Sequence, residues 1–179
     1  MTRSCSLPAS LFILIVLSLP IEILKAQDYT PVSRYYVKQS GGYSPLYNGK
    51  IPPMYNMLYE GTYFLESDAY YPGTVQYKGK LYVDLELNMN VHRDELYVRI
   101  PEYNSGSVLL KAHVESFIMG DMQFINIVKE KYPAAPAEGY YRVLYSGDDI
   151  SVLKRTTKRM NSATIANDRK VTQVFEESI

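Results

Sequence analysis

The acidic side chains are the first candidates for chemistry in this sequence. Asp84 and Glu86 stand two residues apart in a segment of alternating polarity, so a strand would place both carboxylates on one face, about 7 Å apart. Carboxylates at that separation could serve glycoside hydrolysis or bind calcium. At alternate strand positions they are more often only the solvent-facing side of a sheet, which is the interpretation we favour. Two further acidic pairs fall in predicted turns: Asp94-Glu95 and Asp148-Asp149.

Other catalytic or metal-binding patterns are missing from the sequence. The two histidines, His92 and His113, lack the spacing of a metal or catalytic pair. The single cysteine, Cys5, belongs to a predicted N-terminal leader, so the rest of the chain has no thiol nucleophile, disulfide or zinc–thiolate site. No HExxH, GxSxG, P-loop or GxGxxG motif occurs. We therefore predict no catalytic residue, no metal site and no cofactor, and a protein that is not an enzyme.

Tyrosine is the unusual feature of the composition, with 18 residues beside five phenylalanines and no tryptophan. Tyrosine suits strands in which the ring packs and the hydroxyl stays solvated. We predict that Tyr82 and Tyr97 lie on the polar face of neighbouring strands and that Tyr70 and Tyr71 border them. These four residues are the candidate binding site. They either stack on sugars or a peptide, or are covered by the N-terminal arm, and we favour the second interpretation.

Residues 72–100 must position these tyrosines, and they read as three consecutive antiparallel strands. From position 80 to position 90, apolar and polar residues alternate strictly, which is typical of a half-buried strand. Its polar residues, Asn88 and Asn90 among them, are predicted to form one solvent-facing side. The register that keeps apolar side chains on one face also places Glu86 opposite Arg99 on the other. Its pairs are Met89 with Leu96, Leu87 with Val98 and Leu85 with Ile100.

The turn at Lys78-Gly79 permits two registers. A two-residue loop would pair Tyr77 with Lys80, whereas a three-residue loop would pair Tyr77 with Leu81. Gly79 supplies the positive φ that either loop needs. The sequence alone does not choose between the two.

The whole pattern predicts an all-β, mainly antiparallel fold: a strongly curved meander, a partial barrel or a small sandwich. About eight short strands are expected over residues 59–157, one of them running from Ser107 to Phe117, and no βαβ spacing occurs. Residues 27–58 are rich in Tyr, Pro and Gly and are predicted to form an extended, irregular arm that packs its tyrosines onto the domain; the alternative is an aromatic platform for a ligand or a partner. Residues 158–179 are predicted to be a polar C-terminal segment, in which Val171–Phe175 hints at a strand or a helix start.

The start of the chain has the features of a secretory signal peptide over residues 1–26: a basic residue, a short apolar run over residues 7–19, and Ala26 before a polar segment. The run is shorter than the roughly 20 residues of a membrane span. We predict cleavage after Ala26 and an exported protein, periplasmic or associated with the cell surface, without a transmembrane span; the alternative is an uncleaved anchor. The 19 basic and 19 acidic residues balance, so bulk charge predicts no nucleic-acid partner.

Four sequence motifs occur in one order: PGTV, KLYVDLELNMNVHRDELYVRI, VESFIMGDMQFINI and EGYYRVLYSGDDISVLKR. On these motifs the chain resembles a broad group of uncharacterised exported β-rich proteins from Bacteroidota, over residues 59–175. The resemblance implies no activity and no catalytic residues. Similar proteins look longer, which implies either a truncated product or a short relative. The tyrosine usual in the group at the position of Met89 is absent here.

These observations lead to two hypotheses of function. The first is a non-enzymatic exported envelope protein that acts as a protein-interaction or structural accessory domain, with another envelope protein as its partner. The alternative is a carrier of a small ligand or a glycan, bound in a cavity or on an aromatic patch of the β domain. An enclosed cavity above about 300 Å³ would favour the carrier, and a filled interior would favour the interaction domain.

Overall fold

The computed structural model describes residues 30–101, 103, 105–147, 149–164 and 171–178, so the predicted leader lies outside the described residues. One α-helix, α1, spans Thr30–Ser40, and short 3-10 turns lie at Gly41–Tyr43, Pro45–Tyr47 and Lys111–His113. The strands are β1 (Tyr59–Glu60), β2 (Tyr71–Tyr77), β3 (Lys80–Asn90), β4 (Glu95–Ile100), β5 (Ser105–Val108), β6 (Val114–Met119), β7 (Met122–Ile127), β8 (Gly139–Ser146), β9 (Ser151–Lys154), β10 (Thr157–Thr164) and β11 (Val171–Ser178).

Eight of these strands form one antiparallel sheet in the order β5-β4-β3-β2-β6-β7-β8-β9. Strands β2 to β5 meander away from the sheet centre on one side, and β6 to β9 do so on the other. The all-β, antiparallel prediction is confirmed. Within the described part of the chain β5 and β9 are the edges of an open sheet, so the barrel is not closed.

The sheet is strongly curved, because the short connection between β5 and β6 requires it. Five residues, 109–113, connect β5 to β6, which lie four positions apart in the sheet. A flat sheet would separate these strands by about 19 Å, close to the roughly 20 Å limit of six fully extended residue steps. Because three of the connecting residues form a 3-10 turn, the sheet has to bend. The single strand predicted from Ser107 to Phe117 is therefore wrong, although apolar and polar residues alternate over positions 110–115.

The concave face of the sheet holds the main core. Its buried side chains come from six strands and from the segment after α1, and the largest of them are Leu46, Leu87, Met89, Leu96, Phe117, Met119 and Tyr140. Phe117 stacks on Phe124 with ring centroids 4.7 Å apart, and Tyr140 meets the Phe117 ring edge-on. Rings from β6, β7 and β8 thus fill the interior of the curve.

The opposite face is also buried over β3, β4 and β5. Asn88 and Asn90, predicted to face solvent, are fully buried there beneath residues 55–70. The Asn88 side-chain amide donates a hydrogen bond to the carbonyl of Ser67 at 3.0 Å. Phe64 pairs with Asn90 through an isolated backbone bridge. The alternating pattern therefore identified the strand correctly but not the covering of its second face.

The β3–β4 hairpin has the predicted register over its paired length. The observed pairs include Leu87 with Val98 and Met89 with Leu96. The ladder starts at Leu87, so the predicted pair of Leu85 with Ile100 is not part of it. Glu86 and Arg99 form the predicted ion pair, with Arg99 Nη1 3.4 Å from Glu86 Oε2.

The turn between β2 and β3 is the two-residue loop. Tyr77 pairs with Lys80, and the two loop residues have positive φ, 51° at Lys78 and 71° at Gly79. Two residues of positive φ form the type I′ turn that matches the right-handed twist of the flanking strands.

A β-bulge interrupts the alternation within β3. Gly73 pairs with Leu85, but Val75 pairs with Tyr82, so β3 contains one residue more than β2 at this point. Asp84 has a φ of 55° there. An extra residue reverses the side-chain alternation on one side of a bulge. Tyr82 consequently shares the concave face with Leu85, and the prediction of one unbroken polar face from position 80 to position 90 is wrong.

The N-terminal arm begins with helix α1, which corrects the prediction of an extended arm. Pro31 lies in the first turn of the helix, where a missing backbone N–H costs nothing. The helix packs on β3: the Ser33 hydroxyl donates to the carbonyl of Leu81, and Arg34 pairs with Asp84. No helix in the described part of the chain is long and apolar enough to cross a membrane.

The C-terminal segment forms two strands, of which only the one that begins at Val171 is indicated by the sequence. Strands β10 and β11 pair antiparallel, and β1 pairs parallel to β11, giving a second sheet in the order β1-β11-β10. Charged residues oppose each other across this hairpin, with Arg159 opposite Glu176 and Lys158 opposite Glu177. In β11 the side chain of Phe175 is buried. Because charged and other polar residues face each other across the β10–β11 hairpin, the sequence of this segment lacks an apolar periodicity.

Candidate functional site

Tyr82 and Tyr97, predicted to face solvent, are both buried, so that prediction is wrong. Tyr82 meets the ring of Tyr36 from α1 edge-on, with centroids 6.2 Å apart. Tyr97 lies on the opposite face under Phe64, with rings perpendicular at 5.5 Å. Burial raises the pKa of both hydroxyls. The N-terminal arm covers Tyr82, as the favoured interpretation stated, whereas residues just after the arm cover Tyr97.

Tyr70 and Tyr71 are half-buried and lie in different surroundings. The Arg99 guanidinium lies over the Tyr70 ring at 4.6 Å, and burial raises the pKa of the Tyr70 hydroxyl. The Tyr71 hydroxyl makes a 2.9 Å hydrogen bond with the hydroxyl of Ser67. Tyr70 packs with Tyr97, but Tyr71 packs against the main core. The four tyrosines therefore do not form one patch.

The acidic pair on β3 does not converge on a common point. Asp84 Oδ2 lies 2.5 Å from Arg34 Nε, and Glu86 is engaged by Arg99. Asp84 and Glu86 thus pair with different arginines, and the β-bulge separates the surroundings of the two carboxylates. Among the described residues, no group of three or more His, Asp or Glu side chains could hold a metal ion.

A different aromatic cluster lies where the second sheet meets the first. We call it the tyrosine cluster, and its members are Tyr55, Tyr59, Tyr63, His92 and Phe175. Tyr55 lies 4.6 Å from Tyr63, and the Phe175 ring lies 5.3 to 5.6 Å from each of the other four rings. Most pairs are edge-to-face, the arrangement that aromatic quadrupoles favour.

Polar contacts hold this cluster in place. The His92 ring nitrogen Nδ1 makes a 2.9 Å hydrogen bond with the carbonyl of Lys158. Lys158 Nζ donates to the carbonyl of Phe64 at 2.5 Å, and burial lowers the pKa of this amine. Burial, followed by the nearby hydroxyl of Tyr59, raises the pKa of Tyr63 to about 12. The cluster thus joins the two sheets through ring contacts and hydrogen bonds.

The tyrosine cluster anchors an exposed segment that we call the apolar strap, residues 50–58. The strap begins where Lys50 exchanges two backbone hydrogen bonds with Val108 of β5, at 2.8 and 3.1 Å, and it ends at β1. Between these ends the Tyr55 ring enters the cluster, and the Arg93 guanidinium lies 5.6 Å from its centre. The strap is therefore held at both ends and in the middle.

The strap presents large apolar side chains to solvent. Their exposed fractions are 90% at Ile51, 86% at Met54, 46% at Met57 and 81% at Leu58. Isolated exposed apolar residues are ordinary, but several on one short segment make it a candidate contact surface. The prediction that the arm packs onto the domain does not account for these exposed side chains. The available signal was an apolar run, IPPMYNML, without the alternation of a half-buried strand.

A shallow groove on the outer face of the main sheet is a separate feature. It has a volume of about 130 Å³, and it is lined by Thr74, Gln76, Leu81, Ser116, Phe117, Ile118 and Gln123. None of the four predicted tyrosines lines it. Its volume is below the roughly 300 Å³ at which small-molecule sites usually begin.

Comparison with known proteins adds no further guide to the site. The chain matches no protein-family model, no curated protein and no solved structure. The site is therefore interpreted from its own geometry.

Proposed function

We propose that this protein is a non-enzymatic, exported domain of a bacterial envelope that acts through protein–protein contact, with the apolar strap as its contact surface. The observation that carries this proposal is the exposure of Ile51, Met54 and Leu58 on a segment that is anchored below by Tyr55. A backbone segment held in place before binding loses little conformational freedom when a partner covers it.

The surroundings of the strap favour a polypeptide partner over a small ligand. The strap carries a single charged residue, Lys50, and projects its apolar side chains outward instead of enclosing a cavity. Small-molecule sites are concave and bury most of the ligand surface. A protruding apolar segment instead fits a groove on another protein, where such side chains become the central contacts. The small open groove on the sheet gives the carrier hypothesis weaker support.

Site-specific photo-crosslinking in the producing cell tests this function. We would place a photoreactive benzoyl-phenylalanine at Met54 and, as the matched control, at Ile118 on the outer face of the sheet. The proposal expects one defined protein adduct from position 54, lost when Ile51 and Leu58 are both replaced by aspartate, and no such adduct from position 118. An adduct from position 118 alone would overturn the strap as the contact surface.

Export is tested separately by cell fractionation and N-terminal sequencing. The expected result is protein outside the cytoplasm with Gln27 as its first residue, since cleavage is predicted after Ala26. A cytoplasmic protein that retains its N-terminal segment would contradict the envelope location without bearing on the strap.

A further inference from the structure

Tyr55 and Tyr63 are arranged differently from the other tyrosine rings that touch. Their ring centroids lie 4.6 Å apart, and the two ring planes are inclined by only 36°. The other contacts between tyrosine rings in the described part of the chain have centroids 5.9 to 6.3 Å apart and interplanar angles of 62 to 79°. In such edge-on pairs the edge of one ring points at the face of the other. Among these pairs, only Tyr55 and Tyr63 place the ring carbons of one phenol beside those of the other.

Both rings are partly exposed, and both are held in position. The Tyr55 hydroxyl accepts a long hydrogen bond, 3.5 Å, from Asn90 Nδ2, and the Arg93 guanidinium lies over the Tyr55 ring. The Tyr63 ring packs on the buried ring of Phe64, with centroids 4.5 Å apart. Two groups that are fixed side by side react with each other as if at a very high concentration.

We propose that the Tyr55–Tyr63 pair is an oxidative cross-linking site, at which a peroxide and a haem peroxidase join the two side chains as dityrosine. The activated peroxide removes one hydrogen atom from each phenol hydroxyl and is reduced to two molecules of water. The two phenoxyl radicals then form a carbon–carbon bond between the ring carbons beside their oxygens. The hydrogen on each of these carbons moves to the oxygen and restores the phenol. The pair loses two hydrogen atoms in all, and both hydroxyls are retained.

The arrangement of the other tyrosines directs the coupling to this pair. Tyr59 meets both Tyr55 and Tyr63 edge-on, at 6.0 and 5.9 Å, so its ring carbons are less well placed for a bond to either. Tyr43 and Tyr145 are more exposed, at 88% and 60%, but neither contacts another tyrosine ring among the described residues. Their radicals would couple between molecules, at a rate that depends on protein concentration. The bond within the pair instead ties the apolar strap covalently to the segment that follows β1.

Peptide mapping of the purified protein after treatment with hydrogen peroxide and a haem peroxidase tests this site. Trypsin cuts after Lys50 and a glutamate-specific protease cuts after Glu60, so Tyr55 and Tyr63 fall on separate peptides unless they are cross-linked. The proposal expects the two peptides to stay joined, with a mass two hydrogen atoms below their sum and with dityrosine fluorescence. The yield should not change when the protein is diluted, because the coupling is intramolecular.

Three variants locate the bond. Tyr55→Phe should lower the yield of joined peptides by about tenfold or more, because the remaining phenol loses the partner beside it. Tyr59→Phe is the matched control, since Tyr59 lies on the same peptide as Tyr55 but meets Tyr63 edge-on, and it should keep the joined peptides. If Tyr55→Phe does not show the parent fold by circular dichroism, Tyr63→Phe replaces it.

Three results would overturn this proposal: no joined peptides from the parent protein, an unchanged yield from Tyr55→Phe, or a yield that falls on dilution. Within the parent, Tyr36 and Tyr82 provide a further comparison, because they meet edge-on at 6.2 Å and should form no link. The experiment needs no partner protein. Its outcome is therefore independent of the photo-crosslinks from the strap, and the two proposals fail separately.

Discussion

Arg34 Nε lies 2.5 Å from Asp84 Oδ2, which ties helix α1 to the residue at which strand β3 bulges. The bulge turns Tyr82 to the concave face, and Tyr36 of the same helix covers it. The helix contributes no buried residue of its own. Its position therefore depends on an irregularity of the sheet that it packs against.

At the bulge, the backbone conformation of Asp84 should matter more for the stability of the fold than its charge does. Replacing Asp84 by valine should destabilise the fold by about 1–3 kcal/mol, because a β-branched residue is strained at a φ of 55°. Replacing it by glycine keeps that conformation and loses an exposed ion pair, worth about 0–1 kcal/mol. Urea denaturation measures both. Equal losses from the two variants would show that the ion pair, and not the backbone, dominates.

Gly139 should tolerate no side chain. Its φ is 145°, and a Cβ there would lie 2.5 Å from Asp94 Oδ2 and 2.9 Å from Arg155 Nε. The Asp94 carboxylate accepts hydrogen bonds from Lys111 Nζ and from the Tyr140 backbone N–H, so it cannot easily move. We expect Gly139→Ala to destabilise the fold by at least about 2 kcal/mol in urea denaturation.

Gly79→Ala is the control for this substitution. Gly79 also has a positive φ, 71°, but a Cβ added there would have no atom within 4 Å. The substitution should therefore cost about 1 kcal/mol from backbone strain alone. If Gly139→Ala costs no more than Gly79→Ala, the contact with Asp94 and Arg155 is unimportant.

Two buried tyrosines should respond in opposite ways to loss of the hydroxyl. The Tyr97 hydroxyl accepts a 3.0 Å hydrogen bond from Asn90 Nδ2, so Tyr97→Phe should cost about 1–2 kcal/mol. The Tyr140 hydroxyl is buried, and no residue in the described part of the chain makes a hydrogen bond with it. Tyr140→Phe should be neutral or stabilise the fold by up to about 1 kcal/mol. Thermal unfolding of both variants compares them, and a large loss from Tyr140→Phe would reveal a partner for that hydroxyl.

The pKa of Tyr63, raised to about 12 by burial, predicts a loss of stability in alkali. The same hydroxyl in the unfolded chain has a pKa near 10.0. Because the folded-state pKa is the higher one, its contribution to stability is fully present below pH 10 and is lost as the pH rises through about 12. Urea denaturation across this range should show a shallower decline for Tyr63→Phe than for the parent. Tyr145→Phe, at an exposed position, is the control and should leave the decline unchanged.

The fold class and the central register were predictable because both depend on local pattern. A period of two in residues 80–90 identifies a strand whatever lies beside it, and apolar pairing across a short turn leaves one good alignment for Leu87 with Val98. The ion pair of Glu86 with Arg99 follows from that alignment. The candidate site was predicted less well, since Tyr82 and Tyr97 were identified as ring-packing residues but assigned to solvent.

The sequence by itself determined the strand over residues 80–90 and its alignment with the strand that follows, because these depend on neighbours a few residues apart. The tertiary structure alone decided which faces are covered. The bulge at Asp84, the burial of Asn90 beneath Tyr55 and Phe64, and the exposure of Ile51 and Met54 on the strap all depend on contacts between distant segments. An alternating strand looks the same in sequence whether its polar face meets water or another part of the chain, because a satisfied hydrogen bond serves the side chain equally in both places.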